Sequence, residues 1–152
     1  MVLMVAVLTA ELRGSKSTEH MIAWMWLIGA LFAFGHSLGA LMTFHHGSQT
    51  EALDSTAEQT QQLLGFRFGA GLYVNYLFVV VWVADAVFRL LAPMRYLSLP
   101  SWYRYSAIGF LVFIAINGAI IFKSGPIRGI GIGCVCLLGI LAIVQKRKTT
   151  SV

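Results

Sequence analysis

Met21–Met42 reads MIAWMWLIGALFAFGHSLGALM and contains no Asp, Glu, Lys, Arg or Pro. As one helix rising ~1.5 Å per residue, it matches the ~30 Å hydrocarbon core of a bilayer. In lipid every backbone N–H and C=O must be satisfied internally, which a helix does and an open strand does not. The stretch therefore predicts a membrane-spanning helix, and the remaining chain is arranged around it. His36 is the only ionisable side chain in it.

The whole chain has the same character. Of its 152 residues, 58% are hydrophobic and only 11% charged. Soluble domains average about 25% charged residues. So much apolar surface cannot all be turned inward in a soluble fold of this size, so much of it must face lipid or other apolar helices. The length fits one domain, residues 1–152. The net charge of +5 does not point to nucleic acid here. The basic residues stand at helix ends, where they suit a membrane surface. Cys134 and Cys136 lie two apart in an apolar run. On a helix they point roughly 200° apart, which excludes a mutual disulfide or a shared metal.

Upstream of the first span, Met1–Ala10 is apolar but too short to cross, and it lacks the positive n-region of a signal peptide. It either packs beside the bundle or precedes a chain whose membrane protein starts at Met21. Residues 1–20 are assigned to the cytoplasmic side. Downstream, 43–62 is a polar loop with Glu51, Asp54 and Glu58 and no basic residue. Ser55-Thr56-Ala57-Glu58 has capping-box spacing, so a helix is expected to start there and to run on into the second span. The further spans are expected at 68–91, ended by Pro93, at 103–122, and at 127–144 after a Lys123-Ser124-Gly125-Pro126 turn. A basic cytoplasmic tail, 145–152, closes the chain.

Orientation follows from Lys and Arg. With the N-terminus inside, the inner loops and helix ends carry Arg13, Lys16, Arg89, Arg95, Arg104, Lys146, Arg147 and Lys148. The outer side carries Arg67, Lys123 and Arg128. Both termini are then cytoplasmic by the positive-inside rule. Trp24, Trp26, Trp82 and Trp102 all fall in the inner half, near Tyr96, Tyr103 and Tyr105, as an aromatic belt would. Gly35-x-x-x-Gly39 and Gly129-x-x-x-Gly133 are spaced for close helix approach, within the monomer or between copies.

Depth nominates candidate site residues. His36 lies about 9 Å below the outer edge, Asn75 and Cys134 about 10 Å and Asn117 about 8 Å, with Tyr76 near that level. One polar or soft side chain from each span thus falls in a single layer. It forms either a hydrogen-bond layer between helices or a site for a small polar ligand, a metal, a haem or a proton step. His45 and His46, with Glu51 or Asp54, are weak candidates for a surface metal. Asp85 is the only acid inside a span, one turn before Arg89. The two are candidates for an internal ion pair, with Arg89 reaching to the interface, or for a proton site.

Gly35-His36-Ser37-Leu38-Gly39-Ala40 resembles the G-x-S-x-G nucleophile elbow of lipases and other α/β-hydrolases. The resemblance implies Ser37 as nucleophile on a sharp strand-to-helix turn, with an acid and then a histidine later in the chain. It covers six residues. The chain departs from it: the motif sits in a helical run with no strand before it, and the only later histidines are His45 and His46. Intramembrane serine proteases of the rhomboid type share the motif but have more spans and a histidine on a separate helix. The competing reading is two glycines for packing and a serine bonded to its own helix. Thr150-Ser151-Val152 resembles a carboxy-terminal PDZ ligand, at a length that chance supplies often.

Together these features predict an all-α, four-span integral membrane bundle in the plasma (inner) membrane. The expected role is non-enzymatic: a small subunit or interaction protein of a membrane complex. Its partners would be the bilayer and other membrane helices or a homo-oligomer, with no nucleic acid. The alternative is a binding or transport module around His36, and the third is an intramembrane serine hydrolase. The residues do not specify a cofactor.

Overall fold

A computed structural model of the protein describes residues 19–121, 125–126, 128–137 and 140. Those residues form helices and connecting turns, with no strand among them. The first helix, α1, is Glu19–Phe44, 26 residues long. Its glycines, Gly29, Gly35 and Gly39, would each cost up to about 1 kcal/mol in a helix in water. An apolar run without Pro nevertheless stays helical, because lipid offers the backbone no other partner. The helix stops where His46 (φ 50°) and Gly47 (φ 75°) turn left-handed. The Gly47 N–H then bonds back to the Leu41 carbonyl at 3.0 Å.

Ser48 follows at once and caps the second helix, α2 (Gln49–Leu64), accepting the Glu51 N–H at 3.3 Å. The expected start at Ser55 is thus corrected. Ser48-Gln49-Thr50-Glu51 has the same S-x-x-E spacing and stands directly after the glycine that ends α1, so it takes the cap. Farther along α2, Thr56 and Thr60 bond the carbonyls of Ala52 and Thr56 at 2.8 Å each. The expected run into the second span is corrected as well. Gly65 (φ 84°) ends α2, its N–H bonding the Gln61 carbonyl at 3.0 Å. This is the left-handed stop that glycine adopts without penalty. The chain then folds back across α2. A Cβ on Gly69 would lie 2.6 Å from the Leu53 carbonyl oxygen, so only glycine fits that crossing.

The third helix, α3, is Gly71–Leu91. Pro93 cannot continue it and instead opens the short α4 (Pro93–Ser98) at its first turn. Pro100 precedes α5 (Ser101–Ile116), which passes into a π-turn at Asn117–Ile121. There the Asn117 side-chain amide donates to the Phe113 carbonyl at 2.7 Å and competes with the regular ladder. A last helical piece, α6, is Arg128–Leu137.

Three helices are long and apolar enough to cross a membrane: His20–Phe44, Gly71–Leu91 and Ser101–Ile120. They point to an integral membrane protein. They correspond to the spans expected at 21–42, 68–91 and 103–122, except that Phe68 lies in the turn before α3. The span expected at 127–144 falls partly outside the described residues, and its described helical piece is short. Residues 1–18 and the tail 145–152 lie outside them altogether.

The central element is α3, which contacts α1, α2, α4 and α5. Ile22, Trp26 and Ala30 of α1 recur every fourth residue on one face. They meet Trp82 and Ala86 of α3 and Leu111 of α5. Ala30 and Ala86 are fully buried, and their small size lets the backbones approach. This core sits at the end where α4 turns the chain from α3 to α5. Toward the other end of α1, Leu31, Phe32, Phe34, Leu38 and Met42 are exposed.

Candidate functional site

The most enclosed acidic or basic side chain among the described residues is Asp85 on α3, 5% exposed. Its register puts it on the α3 face that carries Trp82 and Ala86, against α1. Trp26 Nε1–H donates to Asp85 Oδ2 at 2.8 Å, and the Tyr96 hydroxyl donates to the same oxygen at 3.5 Å. Tyr96 gets there because Pro93 folds α4 back under the end of α3. One turn beyond Asp85, Arg89 is 7% exposed, and its guanidinium carbon lies 5.4 Å from the centre of the Tyr96 ring. That is cation–π distance.

Aromatic rings surround the cluster. Trp26 and Trp82 are 5.1 Å apart, Phe78 and Trp82 5.4 Å, and Phe88 and Tyr96 5.9 Å. Trp82 Nε1 and Asp85 Oδ1 are buried and make no hydrogen bond to any described residue. Chemically the arrangement is a carboxylate held by two neutral donors beside a buried cation, linking α1, α3 and α4. Such a group is costly to bury and strongly destabilising to break. Arg89 lies over the face of the Tyr96 ring. Sequence reading paired Asp85 with Arg89 and missed Trp26 and Tyr96. The available signals were the shared face of Ile22, Trp26 and Ala30, and the proline that folds Tyr96 back.

The residues expected in one layer are arranged otherwise. His36 on α1 and Asn75 on α3 are exposed. Asn117 is half-buried and bonded to its own helix. Cys134 on α6 is half-buried. Tyr76 donates to Gln49 Oε1 at 2.9 Å, tying α3 to the start of α2. Among the described residues, no hydrogen bond joins His36, Asn75, Asn117 and Cys134 to one another. At the end of α1, His46 Nδ1 lies 3.8 Å from Glu51 Oε2, with both side chains open to solvent. His45 beside it is half-buried. The described residues hold no group of three or more His, Cys, Asp or Glu arranged to bind a metal. Ser37 is half-buried in mid-helix, with uninterrupted α1 on either side rather than a strand-to-helix turn.

Compared with protein families, with characterised proteins and with solved structures, the chain has no match in any of the three.

Proposed function

We propose that the chain is a multi-pass membrane protein that serves as a non-enzymatic subunit or helix partner in a membrane assembly. Four spans with both termini cytoplasmic, in the plasma membrane, complete this reading. One observation carries it. The α1 helix is packed at Trp26 and bare at Gly35 and Gly39, where an added Cβ would meet nothing within 4 Å. Small residues open a backbone to close approach, and in a membrane helices associate through such faces. Here none of the described helices covers that face.

The test is the size of the particle that contains the tagged, full-length protein after extraction in a mild detergent. An assembly larger than one chain is expected, and a monomer under every extraction condition would overturn the reading. Topology is checked by fusing a reporter active only outside the cytoplasm. It should work near residues 50 and 125, and fail near residue 97 and at the C-terminus.

A further inference from the structure

The helix α2 has two opposed faces. At ~100° per residue, Ala52, Thr56, Ala57, Thr60, Leu63 and Leu64 share an arc of about 140°, and Glu51, Asp54 and Glu58 lie on the opposite side. The hydroxyls of Thr56 and Thr60 are bonded to carbonyls of α2 itself, so the first arc presents apolar surface. The approach to α3 covers only part of that arc. Gly69 lies against Leu53 and Ala57, Gly71 lies against Thr56, and Tyr76 bonds Gln49. On this part Ala52, Ala57 and Thr60 are buried. In the last turn, Leu63 and Leu64 are 48% and 54% exposed.

The turn after α2 enlarges the uncovered part. Phe66 and Phe68 are both exposed, with ring centres 6.4 Å apart. Arg67, between them in sequence, donates to Asp54 Oδ1 at 3.1 Å, on the acidic side of α2. The cation of the turn is thus taken to the acids, and the rings are left apart from it.

Chain continuity selects what meets this surface. At 21 residues, α3 matches the ~30 Å hydrocarbon core, which puts Gly71 at its edge. Phe68 stands three residues earlier, so at most about 11 Å of chain separates it from that edge. The apolar arc of α2 rests on the same end of the span, through Gly69 and Gly71. Apolar side chains left over at the mouth of a span meet the lipid boundary. Helices that lie there bury Leu and Phe about 5–10 Å into it. No Lys or Arg lies between 43 and 62, so the other side of α2 has no attraction to lipid phosphates and turns to water.

We propose that α2 and the turn after it form an interfacial anchor. Leu63, Leu64, Phe66 and Phe68 insert at the lipid boundary, and Glu51, Asp54 and Glu58 face the aqueous phase. This placement needs α3 to cross the membrane and is independent of any partner subunit.

The experiment is spin labelling of the full chain, carrying Cys134→Ser and Cys136→Ser, in phosphatidylcholine vesicles. A nitroxide is attached to one new cysteine at a time. Its collisions with oxygen, which dissolves in lipid, are compared with those of the water-soluble nickel ethylenediaminediacetate. Oxygen should exceed nickel at Leu63→Cys, Leu64→Cys, Phe66→Cys and Phe68→Cys, at depths of about 5–10 Å. Nickel should exceed oxygen at Glu51→Cys, Glu58→Cys and Gln62→Cys. Leu63→Asp together with Leu64→Asp should move the Phe68→Cys label toward water. Val80→Cys, exposed midway along α3, should read lipid and tests the crossing separately. The Trp26–Trp82 near-ultraviolet signal verifies that each variant is folded.

Nickel exceeding oxygen at Leu63→Cys and Leu64→Cys, with Val80→Cys still in lipid, overturns the anchor and leaves the spanning reading in place. Protection from both reagents at those two positions also overturns it, because protein then covers the face. A Phe68→Cys label unmoved by the paired aspartates would show that the turn is held by α3 alone, against the proposal. Nickel exceeding oxygen at Val80→Cys overturns the crossing of α3 and the anchor with it.

Discussion

The two ends of α1 are both apolar and have opposite surroundings. From Ile22 to Ala30 the helix buries Trp26 against Trp82 and bonds Asp85. From Leu31 to Phe44 it presents bulky apolar side chains, two glycines and a histidine outward. Mean hydropathy does not separate the ends, since both are apolar all round. What separates them is what α3 offers. Trp82, Asp85 and Ala86 give α1 rings, an acceptor and a close approach. Beyond them Asn75, Leu77 and Val80 are exposed. In a membrane, apolar character inserts a helix but does not choose its neighbour; packing shape and hydrogen bonds do that.

The two ends of α1 differ most at their aromatic residues. Trp26→Ala removes a fully buried ring and the donor to a buried carboxylate. It should cost on the order of 3 kcal/mol. Phe32→Ala, at the bare end, should cost under about 0.5 kcal/mol in the monomer. Reversible unfolding in mixed micelles, at dilutions where the protein is monomeric, measures both. Equal costs would mean that the Trp26 contacts do not hold the bundle together.

Glycines sharpen it next. A methyl on Gly69 meets the Leu53 carbonyl oxygen at 2.6 Å, so Gly69→Ala forces the turn off α2 and should cost about 1–3 kcal/mol. Gly35→Ala meets nothing and should be neutral or gain up to about 1 kcal/mol of helix propensity in the monomer. If both variants behave alike, the crossing of the turn over α2 is looser than 2.6 Å implies.

Within the Asp85 cluster the effects are smaller. Tyr96→Phe removes one long hydrogen bond, 3.5 Å, and keeps the ring under Arg89. It should cost about 0.5–1 kcal/mol. Tyr96→Ala also removes the ring and should cost clearly more. A Tyr96→Phe cost equal to that of Tyr96→Ala would assign the whole effect to the hydroxyl.

Three of the four expected spans match helices long and apolar enough to cross a membrane, because lipid demands length and apolarity, and both can be counted along a chain. The start of α2 was less so. Ser48 and Ser55 carry the same S-x-x-E spacing, and the difference between them is Gly47, which ends α1 one residue before the earlier serine. Gly65 between Leu64 and Phe66 was a stop signal of the same kind. The Asp85 cluster was half legible. Its acid and arginine are one turn apart on one helix, but Trp26 is 59 residues away and meets Asp85 only through the rotation of two helices. Rotation also governs the proposed layer around His36. Depth follows from counting residues, but residues at one depth form a ring around the bundle, and which of them meet depends on where each helix points.

The smallest expected effect concerns Ser37, between the two glycines of the bare end. The resemblance of its surroundings to a nucleophile elbow makes it the one position where sequence offers a reaction. Activation of a serine requires a base within hydrogen-bond reach and a turn that lifts the hydroxyl clear of its own backbone. Ser37 sits in continuous helix, where a hydroxyl ordinarily bonds the carbonyl a turn earlier. His36, its neighbour in sequence, points about 100° away around the helix. Ser37→Ala should therefore change stability by no more than about 0.5 kcal/mol. A fluorophosphonate probe should leave the wild-type protein unlabelled. Labelling that appears in the wild type and vanishes in Ser37→Ala would show an activated hydroxyl. The bare end of α1 would then be an opening to a reactive group rather than a surface for another helix.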